Sequence, residues 1–197
     1  MKFTLYTADC SGNPKNKAYP HEMIVTSAAD LKKAVRFDHV CARYAGNVRS
    51  EANFEMSDVL VLDCDNTHSD DPEEWIDAES LSAILTDVAY AIVYSRSHMI
   101  PKNGKTARPK MHVYLPAGIC KMKRRIQKEM PFFDSNALDA ARFFFGSTGE
   151  VEWHEGSLSI EDWLLFMKSN RSIPQGQRNA TMSRKAGRIV KRFGIGE

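Results

Sequence analysis

The sequence predicts a mixed α and β domain, with central strands and helices packed on them. Three observations predict it. Apolar or alternating runs of strand length recur, notably Val59-Leu60-Val61-Leu62, Ala89 to Tyr94 and Lys110 to Leu115. Stretches with helical patterning and capping residues lie between them. The 197 residues are 43% hydrophobic and 26% charged, which supports one ordinary core and excludes wholesale disorder.

Taken in order, Lys2 to Thr7 alternates as a strand, and Met23-Ile24-Val25 is a second short strand. Thr26 or Ser27 caps a helix from Ala28 to about Phe37, with Asp30 in its first turn. His39 to Phe54 reads ambiguously. Val59 to Leu62 is a continuous apolar run, the pattern of a buried strand. Asn66 to Pro72 is loop, Ser80 to Val88 helix, and Ala89 to Tyr94 strand. Met99 to Pro109, with its prolines and Asn-Gly, is loop. Lys110 to Leu115 is a strand closed by Pro116, and Lys121 to Met130 a basic helix. Asp139 to Phe145 is expected to be helical and to stop at Gly146. Val151-Glu152-Trp153 is a strand and Ile160 to Met167 a helix. Ser172 to Gln177 reads as a linker before a last basic helix, Arg178 to Phe193. The expected division is therefore a main domain over residues 1–170 and a linker with the start of a basic helical module over 171–197.

Cys10, Cys41, Cys64 and Cys120 lie far apart, without the short spacing of a zinc knuckle, so no zinc site is expected. No long apolar stretch follows the N-terminus, so neither a signal peptide nor a membrane span is expected, and a reducing, cytoplasmic setting is the expectation. The net charge of +2 conceals strong segregation. Glu51 to Asp87 holds twelve acidic residues and no Lys or Arg; Arg96 to Lys128 holds ten Lys and Arg and no acid. Leu164 to Gly196 holds eight more basic residues and no acid. Such blocks suit an acidic, cation-holding site facing basic, phosphate-holding surfaces.

Asp63-Cys64-Asp65 follows the apolar run directly. Residues two apart on a strand face one side, so both carboxylates project together from a rigid element. Paired carboxylates repel unless a cation lies between them, and Mg²⁺ uses a few carboxylates together with substrate phosphates. On the strand at 110–115, Lys110, His112 and Tyr114 share a face; a lysine and a histidine side by side suit a triphosphate. The preceding loop adds Arg96, Lys102, Lys105 and Arg108. Gly104-Lys105-Thr106 imitates the end of a P-loop, but Met99 stands where that loop needs glycine, so a P-loop ATPase is excluded. Asp139, set among apolar and small residues, is a candidate third metal ligand, with Arg142 on the same side of the expected helix; Asp134 is an alternative for the role.

These pieces, in this order, resemble the archaeo-eukaryotic primase superfamily, in particular primase-polymerase domains of phages, plasmids and integrated elements. The corresponding segments are Leu62 through Asp65, Lys110 through His112, and Leu138-Asp139, and the likeness spans roughly residues 55–155. It implies an α+β fold: an RRM-like antiparallel catalytic core fused to a second small α/β unit, with a helical C-terminal tail. It also implies Asp63, Asp65 and Asp139 as ligands of two Mg²⁺ or Mn²⁺ ions. His112 would contact the nucleotide phosphates, helped by Lys110, Ser95 and Arg96; Arg108, from the basic loop, and Arg142 are further candidates for nucleotide contact. Lys110 departs from the small residue common there. The implied activity is template-directed nucleotidyl transfer from an NTP or dNTP to a 3′-hydroxyl. A single-stranded DNA template would be held by Lys121, Lys123, Arg124, Arg125 and Lys128. Gly176-Gln177-Arg178-Asn179-Ala180-Thr181 resembles the helical module that follows such cores, after which a helicase often comes. Two other readings remain open. A rolling-circle replication initiator would need a His-x-His pair and a helical tyrosine, and position 110 is Lys. A non-catalytic RRM-like nucleic-acid-binding module would need no carboxylate cluster.

Overall fold

The computed structural model describes residues 1–101, 104, 106–118, 125–134 and 139–171, the side chains of the last helix only to residue 167. It is a mixed α+β fold built on antiparallel sheets. Ten strands are present among the described residues: β1 (Phe3–Thr7), β2 (His21–Val25), β3 (His39–Val40), β4 (Arg43–Tyr44), β5 (Phe54–Met56), β6 (Leu60–Cys64), β7 (Tyr90–Tyr94), β8 (Met111–Leu115), β9 (Phe143–Phe144) and β10 (Val151–His154). The helices are α1 (Ala28–Ala34), α2 (Ala78–Ile84), a short α3 at residues 125–129, and α4 (Ile160–Arg171). The chain divides into two units, Met1–Glu161 and Asp162–Glu197; of the second, the structure describes only residues 162–171, which are helical.

The first unit holds two four-stranded sheets and a small β4–β5 pair. One sheet runs β2-β1-β3-β9 and the other β10-β7-β8-β6. In the second, β6 and β7 both pair antiparallel with β8, so β6-α2-β7 is a crossover with β8 filling the gap, a split β-α-β unit. β10 joins beside β7, which leaves the Asp-bearing strand β6 at the sheet's edge. Asp134 N–H donates to the outward-facing Asp63 carbonyl at 2.8 Å, satisfying part of that edge.

The core lies between the sheets. Phe3 of β1 stacks on Tyr114 of β8 and Trp153 of β10, with ring centroids 6.1 Å apart in each case. His39 of β3 stacks on Tyr114 and Phe144. Its Nε2 lies 2.7 Å from the Tyr114 hydroxyl, and its Nδ1 lies 3.0 Å from the Phe37 carbonyl. A carbonyl only accepts, so Nδ1 carries the proton and Nε2 accepts from the tyrosine. Burial lowers the His39 pKa to about 4, which keeps the ring neutral and the network intact.

Ser27 caps α1, its hydroxyl accepting from Asp30 N–H. The helix ends at Ala34, short of the Phe37 expected from its pattern. The expected helix over Asp139 to Phe145 is not formed. Residues 139–142 make a turn, with Arg142 N–H donating to the Asp139 carbonyl at 3.0 Å, and Phe143–Phe144 become β9. The reason is tertiary: β9 pairs with β3, His39 opposite Phe144 and Val40 opposite Phe143, and no local pattern encodes a partner about a hundred residues away. The linker and basic helix expected after residue 171 lie outside the described residues.

Candidate active site

Leu60, Val61 and Leu62 anchor β6 in the core, and the strand's pleat puts Asp63 on the same sheet face as its cross-strand partner on β8. The register sets Asp63 directly across from His112, with Val93 of β7 on the other side of His112. His112 Nε2 lies 3.9 Å from Asp63 Oδ1. Asp65 comes just past the end of β6, and Lys110 just before β8; continuing the ladder brings Lys110 Nζ to 3.6 Å from Asp65 Oδ2. Ser95 follows β7, and its N–H donates to the Lys110 carbonyl at 3.0 Å, so this ladder too runs on past the strand end. Arg142 reaches in from the 139–142 turn, with Nη2 3.4 Å from Asp63 Oδ2. That turn is pinned from outside: Tyr44 OH donates to the Ala140 carbonyl at 2.6 Å, and Arg49 Nη1 to the Ala141 carbonyl at 2.7 Å.

Together these groups line one cleft of about 470 Å³. Asp63, Asp65 and His112 stand on one side, Ser95, Arg96 and Ser97 on another, and Arg142 with Phe143, Phe144 and Phe145 closes it. Arg96 lies over the Phe145 ring at 4.8 Å, and Arg49 over Phe143 at 4.6 Å. The acidic block and the head of the basic block of the sequence thus meet in a single concavity.

The electrostatics are unusual for a carboxylate. Asp63 is only 6% exposed. Burial pushes its pKa up to about 7, the neighbouring Asp65 charge adds to the rise, and Arg142 opposes it. His112 is driven the other way, to about 3, by burial first and then by His39 and Arg142. It is therefore a neutral imidazole at neutral pH, able to donate one hydrogen bond but carrying no charge.

Of the expected site residues, Asp63, Asp65, Ser95, Arg96, His112 and Arg142 share the cleft, and Lys110 touches it through Asp65. Arg108 does not. It is buried, donates from Nη1 to the Asn66 and Ser69 carbonyls, pairs through Nη2 with Asp70 at 2.9 Å, and lies over Trp75. Its guanidinium organises the 66–75 loop. Asp139 does not join the other carboxylates either. It is exposed, and its Oδ1 accepts from Ala141 N–H, so it shapes the turn that delivers Arg142. Arg125 and Lys128 sit on α3 and do not line the cleft; Lys121, Lys123 and Arg124 lie outside the described residues. The cleft also includes Ser97, Ser147 and the three phenylalanines as its walls. The run Phe143 to Phe145 reads from sequence as core packing or as rings for base stacking, whereas nothing but neighbourhood to motif residues signalled Ser97 and Ser147.

A divalent ion fits the pair Asp63 and Asp65. Asp63 Oδ1 is buried and accepts no hydrogen bond among the described residues. A two-carboxylate site suits Mg²⁺ or Mn²⁺, which complete their shells with water and phosphate oxygens. Among the described residues, no group of three or more His, Cys, Asp or Glu is placed to hold a metal ion, so the three-carboxylate site expected from Asp63, Asp65 and Asp139 is not assembled.

No protein-family model matches the sequence, and no curated protein matches it either. Among solved structures, the chain is similar to the AEP domain of the cyanophage S-2L primase-polymerase (PrimPol), at 14% sequence identity and a TM-score of 0.43, over 83% of this chain and 88% of that one. No described helix is long and apolar enough to cross a membrane.

Proposed function

We propose that the chain is a divalent-metal-dependent nucleotidyltransferase of the primase-polymerase kind, joining an NTP or dNTP to a 3′-hydroxyl on a single-stranded DNA template. The observation that carries this reading is the shared cleft: two adjacent carboxylates, one buried with an unpartnered oxygen, opposite a neutral histidine and beside Arg96, Arg142 and Lys110. Asp63 and Asp65 would hold Mg²⁺ or Mn²⁺, which supplies neutralisation of the phosphates and acidifies the attacking hydroxyl.

The protein's own groups do the rest. His112 donates a hydrogen bond to a phosphate oxygen without altering the charge of the site. Arg96 and Arg142 offset the triphosphate charge, and the planar guanidinium of each can clasp two oxygens. Lys110 moves between Asp65 and phosphate as a point charge. Phe143 and Phe145, half-buried on the wall, offer ring faces to a base. The Ser95 and Ser97 hydroxyls border the phosphate side. The rolling-circle alternative loses ground, since Lys110 salt-bridges Asp65 and no described helix carries a tyrosine.

Primer extension on single-stranded DNA with Mn²⁺ tests the proposal. Wild type extends the primer and the Asp63→Ala, Asp65→Ala double variant falls to background. Full activity in that variant would sink the mechanism.

A further inference from the structure

A second concavity, of about 600 Å³, lies on the other side of the segment that walls the active-site cleft. Lys33, Arg36 and Phe37, from the end of α1 and the turn after it, form one flank; Cys10, Ser11 and Thr148 form the other. The two concavities share their partition. Ser147 lines the first and Thr148 the second. Gly146 packs so closely on the Arg36 carbonyl and the Ser11 hydroxyl that a side chain there would collide with both. Gly12, next to Ser11, abuts the Arg96 guanidinium: a Cβ at that position would stand 3.3 Å from Nη1. Arg96, which lines the first concavity, thus comes close to the chain neighbour of Ser11, which lines the second.

Phe37 is the one aromatic ring among the large apolar side chains left exposed in the described residues, at 44% exposure. Its backbone is not loose. Phe37 N–H donates to the Ala34 carbonyl, and the Phe37 carbonyl accepts from His39. The next residue, Asp38, is fully buried and accepts from the N–H groups of Gly12, Asn13 and Gly146 at 2.7 to 2.8 Å. The ring is thus presented to solvent on a rigid mount, flanked by two exposed cations. The acid on this flank, Asp9, is engaged with His21 at 2.6 Å. A positively charged groove with an exposed ring is what a single nucleic-acid strand recognises, by phosphate contacts and base stacking.

We propose that a single strand of nucleic acid leaves the active-site cleft past Arg96 and runs over Lys33 and Arg36, with one base stacked on Phe37. The inference rests on the nucleotidyl-transfer reading for the identity of the adjoining cleft. The test uses the full chain and a fluorescein-labelled oligothymidylate, with anisotropy read across a salt series. Phe37→Ala weakens binding roughly 5- to 150-fold, the range for loss of one stacked base, and Phe37→Trp restores it. Lys33→Gln with Arg36→Gln flattens the salt slope by about 1.4, at about 0.7 per phosphate on a single strand. All three side chains are exposed, so the variants keep the wild-type circular dichroism and the wild-type affinity for Mn²⁺ and a nucleoside triphosphate. Wild-type oligonucleotide affinity and slope in both variants overturn the track, even if wild type extends primers. Phe37-dependent binding by a chain that transfers no nucleotide leaves the track standing and overturns the catalytic reading instead.

Discussion

At the scale of the residue, Asp63 concentrates the conflict on which the site depends. A carboxylate buried at the end of an apolar strand, next to a second carboxylate, is held near a pKa of about 7 rather than 3.8. Because the folded-state pKa is raised, the folded protein binds this proton more tightly than the unfolded chain does. The associated stability is complete below about pH 3.8 and is lost as pH rises through about 7. The full shift corresponds to about 4 kcal/mol for the metal-free protein. Asp63→Asn removes that dependence. In EDTA, the variant should match wild type near pH 4 and exceed it increasingly toward pH 8, as read by urea midpoints. Parallel curves would refute the assignment. His112 and His39, both depressed, give the opposite trend: their contribution is present above about pH 6.5 and fades as pH falls through about 4 and 3. Both chains carry them, so they cancel in the comparison. Arg108 separates structure from chemistry at the same scale. Arg108→Lys cannot reproduce the buried fork to Asn66, Ser69 and Asp70, and should cost about 2–4 kcal/mol in a denaturant titration. The nucleotide KM, measured where the variant is folded, should stay within about twofold, since one such change in phosphate contact would shift it about tenfold. A large rise in KM would return Arg108 to the nucleotide.

At the scale of the element, antiparallel register does the assembling. Five consecutive pairs between β6 and β8 place Asp63 against His112, and a slip of one residue would turn each side chain to the opposite face. The turn at 139–142 and the short strand β9 then deliver Arg142 and the phenylalanines, because β3 offers β9 an edge and Tyr44 and Arg49 hold the turn's carbonyls. Gly146 ends this segment where the backbone of Arg36 leaves no room for a Cβ. Gly146→Ala should therefore shift the segment, loosen the Asp38 hub and cost about 1–3 kcal/mol. An unchanged urea midpoint would show that the partition yields freely.

At the scale of the molecule, the proposed metal site would couple ion binding to folding. An ion binding only the folded state stabilises it by about 2.7 kcal/mol at a hundred times its Kd. For a chain of this size that raises Tm by roughly 5–10 °C. Mn²⁺ should produce such a shift in wild type and none in an Asp63→Asn, Asp65→Asn variant; an equal shift in both would place the ion elsewhere. The sequence alone determined the strands that bear the candidate site. An apolar run before Asp63 and the alternation from Lys110 to Leu115 are local patterns, and local patterns survive without knowledge of partners. It also determined the candidate pair Asp63 and Asp65, because residues two apart on a strand must share a face. The tertiary structure decided what depends on distant neighbours. It made Asp139 to Phe145 a turn and a strand, since pairing with β3 outweighs helical patterning. It buried Arg108 under its own loop and left Asp139 in solvent, since burial is a property of what packs above a residue. It brought Asp63 and Asp65 of the acidic block and Arg96 of the basic block into one cleft, because the crossover of β6, α2 and β7 around β8 sets their strand ends side by side.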